Sequence, residues 1–133
     1  MAYWSRLHII GVKIKKIHRS KVKKLIKNHK SIKEETFLYF LDKVVLDSQG
    51  WLSFKHLRAD RDAYAPDELG TVCAKDAKWF GAESIATWLK TYSENGGSLV
   101  EHSLEGDGEA CGWEFDGKGT MRRLSLKPAG KWR

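Results

Sequence analysis

Asp76-Ala-Lys-Trp-Phe-Gly-Ala-Glu-Ser-Ile-Ala-Thr-Trp-Leu-Lys-Thr-Tyr-Ser-Glu-Asn-Gly-Gly97 is the stretch whose reading decides the fold. Trp79, Phe80, Ala82, Ile85, Ala86, Trp88, Leu89 and Tyr92 recur in it at spacings of three and four, which places most of them on one face of a helix. Asn95-Gly96-Gly97 stops that helix, because glycine takes the left-handed conformation that a helix end often needs. Three short strand candidates follow, separated by Gly106-Asp-Gly108 and Asp116-Gly-Lys-Gly119 turns. Residues 76–126 therefore read as one amphipathic helix and a three-stranded antiparallel meander.

Working outward, the N-terminal part alternates. In residues 4–14, His8, Ile10, Val12 and Ile14 share one face of a predicted first strand, and Lys13 and Lys15 lie on the other. Ser20 is the expected N-cap of a short helix over 21–29 whose apolar stripe is Val22, Leu25 and Ile26. Ser31 with Glu34 forms a capping-box pattern. Phe37, Leu38, Leu41, Val44 and Val45 then fit a second helix over roughly 32–45, although Phe37 to Leu41 also suits a buried strand. Asp47-Ser-Gln-Gly50 is a turn. After it, Trp51, Ser53 and Lys55 alternate with Leu52, Phe54 and His56 in a strand over 51–57. An acidic loop spans 58–75, and a long loop in a compact domain is often functional. The tail beyond Leu126 ends in Lys131, Trp132 and Arg133.

A chain of 133 residues makes one ordinary domain. It can bury roughly two thirds of its unfolded surface and needs neither metal nor disulfide to fold. The expected division is a basic half at 1–57, the loop at 58–75, and the helix with its meander at 76–133. Cys73 and Cys111 are too few for a disulfide scaffold and read as reduced thiols. No run approaches the roughly 20 apolar residues of a membrane span, and no apolar signal-peptide core opens the chain, so the cytoplasm is the expected compartment. The net charge of +7 is uneven. Residues 1–33 carry 11 Lys and Arg and no acid, whereas the rest carries 13 against 17 acids, or −4. This split suggests a phosphate backbone or an acidic protein surface as partner, against the plainer alternative of a solvated basic helix.

Motifs with chemistry are scarce. Asp60-Arg-Asp62 opens like a calcium loop, but Ala65 and Thr71 stand where the glycine and the final acid belong. Gly106-Asp-Gly108 has Cys111 in place of the third glycine of a dinucleotide loop, and Gly117-Lys-Gly-Thr120 lacks the first glycine of a P-loop. His8, His18, His29, His56 and His102 show no zinc spacing, so no metal or cofactor is expected. Cys111 and His102 across the meander would permit a nucleophile and base. Glu101, Glu105, Glu109 and Glu114 surround the same hairpin, where a carboxylate pair would allow acid–base chemistry. Neither spacing demands catalysis. The candidate binding surface is basic: Lys13, Lys15, Lys16, Arg19, Lys21, Lys23, Lys24, Lys27 and Lys30, with Arg122 and Arg123 in a second cluster alongside Lys127, Lys131 and Arg133. Trp51, Trp79, Trp88 and Trp113 read as core rather than as base-stacking platforms.

Lys78-Trp-Phe-Gly-Ala-Glu-Ser-Ile-Ala-Thr-Trp-Leu89 and Gly106-Asp-Gly-Glu-Ala-Cys-Gly-Trp-Glu-Phe-Asp-Gly-Lys-Gly119 resemble small ferredoxin-like proteins carried by phages and other mobile elements. Asp47-Ser-Gln-Gly-Trp-Leu-Ser-Phe54 adds a weaker echo. The resemblance implies an accessory protein that binds and modulates, in the anti-defence or anti-CRISPR-like manner, and it transfers no catalytic residue. The expected fold is α+β: a mainly antiparallel sheet of four to five strands with two or three helices, ferredoxin-like. The expected function is inhibition of a host protein or nucleoprotein complex without enzymatic activity. Direct nucleic-acid binding is the alternative, and a small enzyme centred on residues 101–114 is a remote one.

Overall fold

Apolar residues at helical and strand periods need a common interior, and they find it between a twisted sheet and three helices. A computed structural model of the chain describes residues 5–55, 72–77, 79, 81–103 and 110–126. Its strands are β1 (Ser5–Ile10), β2 (Val44–Leu46), β3 (Leu52–Phe54), β4 (Val72–Ala77), β5 (Ser98–Ser103), β6 (Ala110–Phe115) and β7 (Met121–Leu126). Its α-helices are α1 (Arg19–Lys27), α2 (Glu35–Lys43) and α3 (Ala82–Tyr92). The fold is α+β. Five strands form one sheet in the order β4-β1-β5-β6-β7, with every neighbouring pair antiparallel. β2 and β3 form a separate antiparallel ribbon.

The first strand is central, but it is shorter than the pattern over 4–14 suggests and faces the other way. Ser5, Leu7 and Ile9 point into the core, and His8 and Ile10 belong to the opposite face. The chain nevertheless buries Val12 and Ile14 as well, at 1% and 0% exposure. Gly11 reconciles the two phases. Its φ of +58° lies in the left-handed region open to glycine, and the break there shifts the alternation by one residue. Lys13 and Lys15 then stand on the outer side, as their alternation with Val12 and Ile14 requires.

Three expected boundaries change for local reasons. α1 begins at Arg19, so Ser20 lies within the helix rather than capping it, and the N-cap, His18, makes no side-chain capping bond. Residues 35–43 are helical, and Val44 and Val45 belong to β2. The cap of α2 is Glu34 itself, whose carboxylate accepts from the amides of Thr36 and Phe37 at 3.3 and 3.1 Å. Ser31 instead donates to the Asn28 carbonyl at 2.7 Å, closing a 3₁₀ turn. Nor do Gly96 and Gly97 cap α3. Ser93 does so in an extended conformation, with its amide and hydroxyl both donating to the Leu89 carbonyl. The two glycines form the turn into β5.

β4 occupies residues expected in the irregular loop. Val72-Cys-Ala-Lys-Asp-Ala77 has weak strand character alone, and pairing along the whole of β1 makes it a strand. The remainder of that loop, with Asp60 and Asp62, lies outside the described residues, as do the end of the 51–57 strand, the Gly106–Gly108 turn and the tail with Trp132.

The core sits on one face of the sheet. Leu7, Ile9, Leu99, Trp113 and Phe115 from the strands meet Ala82, Ile85, Ala86 and Leu89 of α3 and Phe40 and Leu41 of α2. α3 packs over β6 and β7. Trp79 is 4% exposed and joins Tyr39, Phe40 and Phe54 in an aromatic cluster with centroids 5.2–6.5 Å apart. Each such side chain contributes about 1.5–3 kcal/mol through removal from water.

Candidate functional site

The basic residues divide into three structural groups. Lys16, Lys21, Lys23, Lys24, Lys27 and Lys30 lie on α1 and its two flanking 3₁₀ turns, and all are exposed. Only Val22 of α1 is fully buried, with Leu25 and Ile26 partly buried against the core. The helix thus presents lysines on the rest of its circumference. Lys21 lies 5.5 Å from the centroid of the Tyr92 ring. Among the described residues, no acid pairs with Lys16, Lys23, Lys24, Lys27 or Lys30.

Lys13, Lys15 and Arg19 sit at the base of this surface. Lys15 donates its amide to the Tyr92 carbonyl at 2.8 Å. Arg19 is a strut rather than a free cation. Its Nε donates to the Ile14 carbonyl at 3.1 Å, and its guanidinium lies 3.8 Å from the Glu94 carboxylate. The same group rests on Gly50, where an added Cβ would stand 2.4 Å from Nε.

Arg122 and Arg123 are not part of that surface. They lie on β7, the outermost strand beyond β6, and as successive strand residues they point to opposite faces. Arg122 is held by Glu114 at 2.7 Å, its partner in register on β6. Arg123 shares a face with Trp113. The accompanying Lys127, Lys131 and Arg133 lie outside the described residues.

Trp51 departs from the core reading. Trp79 and Trp113 are buried, and Trp88 is partly buried against Phe37 and Tyr92, but Trp51 is 39% exposed. Leu52 and Phe54 turn inward from β3, so Trp51, Ser53 and Lys55 face outward. Lys13, which bridges to Trp51 across the backbone, places Nζ 5.3 Å from the indole centroid. The signal was in the sequence: Trp51 alternates in phase with the polar Ser53 and Lys55.

The meander does not bring together the residues that a Cys–His or paired-carboxylate centre would need. Cys111 pairs with Glu101, and His102 pairs with Ala110, so Cys111 and His102 lie on opposite faces of the sheet. Burial, and then the Glu101 carboxylate, push the Cys111 thiol above its usual range, the reverse of what a thiolate nucleophile requires. Glu101 accepts from the Ser5 hydroxyl at 3.0 Å on the helix side, whereas Glu114 engages Arg122 on the other side. Those two carboxylates therefore do not pair across one site. Glu105 and Glu109 lie outside the described residues. Among the described residues no cluster of His, Cys, Asp and Glu could hold a metal ion, and no helix is long and apolar enough to cross a membrane.

Comparison with known proteins returns no family model, no curated protein and no solved structure that matches this chain.

Proposed function

We propose that the protein is a non-enzymatic, phage-type accessory protein that docks on a host nucleoprotein complex through its α1 surface and inhibits it, with α1 tracking exposed phosphates in the cytoplasm. The observation that carries the docking is the row of exposed lysines on α1 without acidic partners among the described residues. Lys21 in the first turn opposes the helix dipole, a cost of about 0.3–1 kcal/mol at low salt that an anionic partner would relieve. The accessory and inhibitory parts of the reading rest on the sequence resemblance.

The ferredoxin-like part of the expected fold is supported by one unit. β4 and β5 both run antiparallel to β1, which lies between them, so they run parallel to each other and are joined through α3. This is a split β-α-β arrangement, the element from which ferredoxin-like folds are built.

The experiment is fluorescence anisotropy with short single- and double-stranded DNA and RNA across a salt series. Phosphate contact predicts a steep salt slope, with roughly one counterion released per contact. Charge reversal at Lys23, Lys24 and Lys27 is expected to weaken binding to every sequence and to lower the slope by about one per lost contact. No binding at low salt would overturn the phosphate reading and leave an acidic protein surface as the partner of α1.

A further inference from the structure

We propose that Trp51 is a stacking platform for an unpaired nucleobase, which makes single-stranded nucleic acid the partner class of this surface. The inference rests on the phosphate-tracking reading of α1 and adds a component that α1 does not contain. The domain buries Trp113 to 6% and Trp79 to 4% yet leaves the Trp51 indole 39% exposed. The backbone that carries the indole is nevertheless fixed. The Trp51 amide donates to the Asp47 carboxylate at 2.9 Å, and the Trp51 carbonyl accepts from the Asp47 amide at 3.0 Å. Gly50, just before it, is clamped by Arg19. An aromatic ring on a fixed backbone loses little conformational freedom when a base stacks on it, since only its own two side-chain torsions remain to be ordered.

Charge accompanies the ring. Lys13 Nζ lies 5.3 Å from the indole centroid, and Lys55 shares the outward face of β3. A nucleotide whose base stacks on Trp51 would bring its phosphate toward these ammonium groups. The Arg19 clamp on Gly50 joins this ribbon to the start of α1, so the strand could continue onto the α1 lysines. Bases in a duplex already stack on each other and offer no free face, so this contact favours single strands.

The test uses the full chain, with labelled oligothymidylate of about 15 nucleotides and a duplex of the same length at low salt. Trp51→Ala is expected to weaken single-strand binding about 5- to 150-fold while leaving duplex binding and the salt slope unchanged. Trp51→Phe keeps a ring and is expected to retain most of the affinity. In contrast, reversal of Lys23, Lys24 and Lys27 weakens both ligands. Oligothymidylate is also expected to quench the intrinsic fluorescence of the wild type, and Trp51→Phe removes that quench even if the alanine variant fails to fold. Equal affinity for single strand and duplex, or wild-type single-strand binding by folded Trp51→Ala, would overturn the platform and leave α1 as a backbone binder. No binding of either ligand would overturn both.

Discussion

Replacing Arg19 with alanine is expected to destabilise the domain, although the residue lies within a basic segment that looks dispensable to folding. The Ile14 side chain is fully buried, and the Arg19 Nε–H donates to its carbonyl at 3.1 Å. Truncation removes a charged donor and strands that acceptor, a loss of about 1.5–3 kcal/mol for a hydrogen bond to an ionised group. The ion pair with Glu94 adds little, because at 3.8 Å and with the Glu94 side chain 43% exposed it falls in the range of about 0–1 kcal/mol. A total near 2 kcal/mol, with a urea slope of about 1–3 kcal/mol per molar, lowers the unfolding midpoint by roughly 1 M. Arg19→Lys keeps the charge but lacks the planar fork that reaches Ile14 while lying against Gly50, so it is expected to restore only part of the loss. Lys23→Ala, on the exposed side of the same helix, should stay within about 0.5 kcal/mol of wild type. Urea unfolding followed by far-UV circular dichroism measures all three. If Arg19→Ala unfolds with Lys23→Ala, or Arg19→Lys matches wild type, the strut argument fails and Arg19 returns to the binding surface.

Gly112→Ala is expected to lower the thermal midpoint, since its Cβ would stand 2.8 Å from the Leu99 carbonyl and from Val100 Cγ2, and overpacking of this kind costs about 1–3 kcal/mol. An unchanged melt would mean that β5 and β6 separate freely. Asp116 is held down to about 2 from 3.8, chiefly by the Thr120 hydroxyl and then by the Lys118 amide. A carboxyl depressed in the folded state contributes stability above its unfolded value that is lost as pH falls through the folded one. Urea midpoints should therefore drop as pH goes from about 4 toward 2, and Asp116→Asn should flatten part of that drop. Cys111 should be alkylated more slowly than a small free thiol at neutral pH, because burial and Glu101 favour its protonated form; mass mapping of the modified peptide reads this, and a faster rate would indicate a thiolate.

Much of the second half was legible in the sequence because its signals are local. Ala82, Ile85, Ala86 and Leu89 recur at helical spacing, and all four are buried. The Asp116 carboxylate accepts from the Lys118 and Thr120 amides, which is the turn chemistry that Asp-Gly announces. Elsewhere the chain resisted for the opposite reason. β4 owes its conformation to β1, more than 60 residues earlier in the chain, and no window of six residues contains that fact. The capping-box pattern makes Ser31 the cap and Glu34 its partner, but the 3₁₀ turn takes up Ser31 and leaves Glu34 to cap α2. Counting charges located the lysines of α1, but it could not separate Arg19 from them. What distinguishes Arg19 is the position of one carbonyl and one glycine, and both are set by tertiary packing.

The phase shift at Gly11 links these observations to the surface. Had the first strand kept one alternation from Ser5 to Ile14, burying Leu7 and Ile9 would have turned Lys13 inward and exposed Val12 and Ile14. Such an arrangement would bury an unpaired ammonium, which is costly, and the apolar residues at 12 and 14 would lose their burial. The left-handed glycine avoids both penalties. It also hands the chain from the main sheet to the ribbon, where Leu52 donates its amide to the Val12 carbonyl and Ile14 donates to the Gly50 carbonyl. Lys13 consequently meets Trp51, and the Ile14 carbonyl meets Arg19. The device that preserves the core therefore also positions the aromatic and the cations that make up the candidate surface. A side chain at position 11 tests that coupling, because it strains the left-handed backbone without filling any space, as nothing lies within 4 Å of its Cβ. Gly11→Val should therefore perturb the Trp51 environment, read by its fluorescence, together with stability. A stable variant with an unaltered Trp51 signal would show that the ribbon is placed independently of the shift.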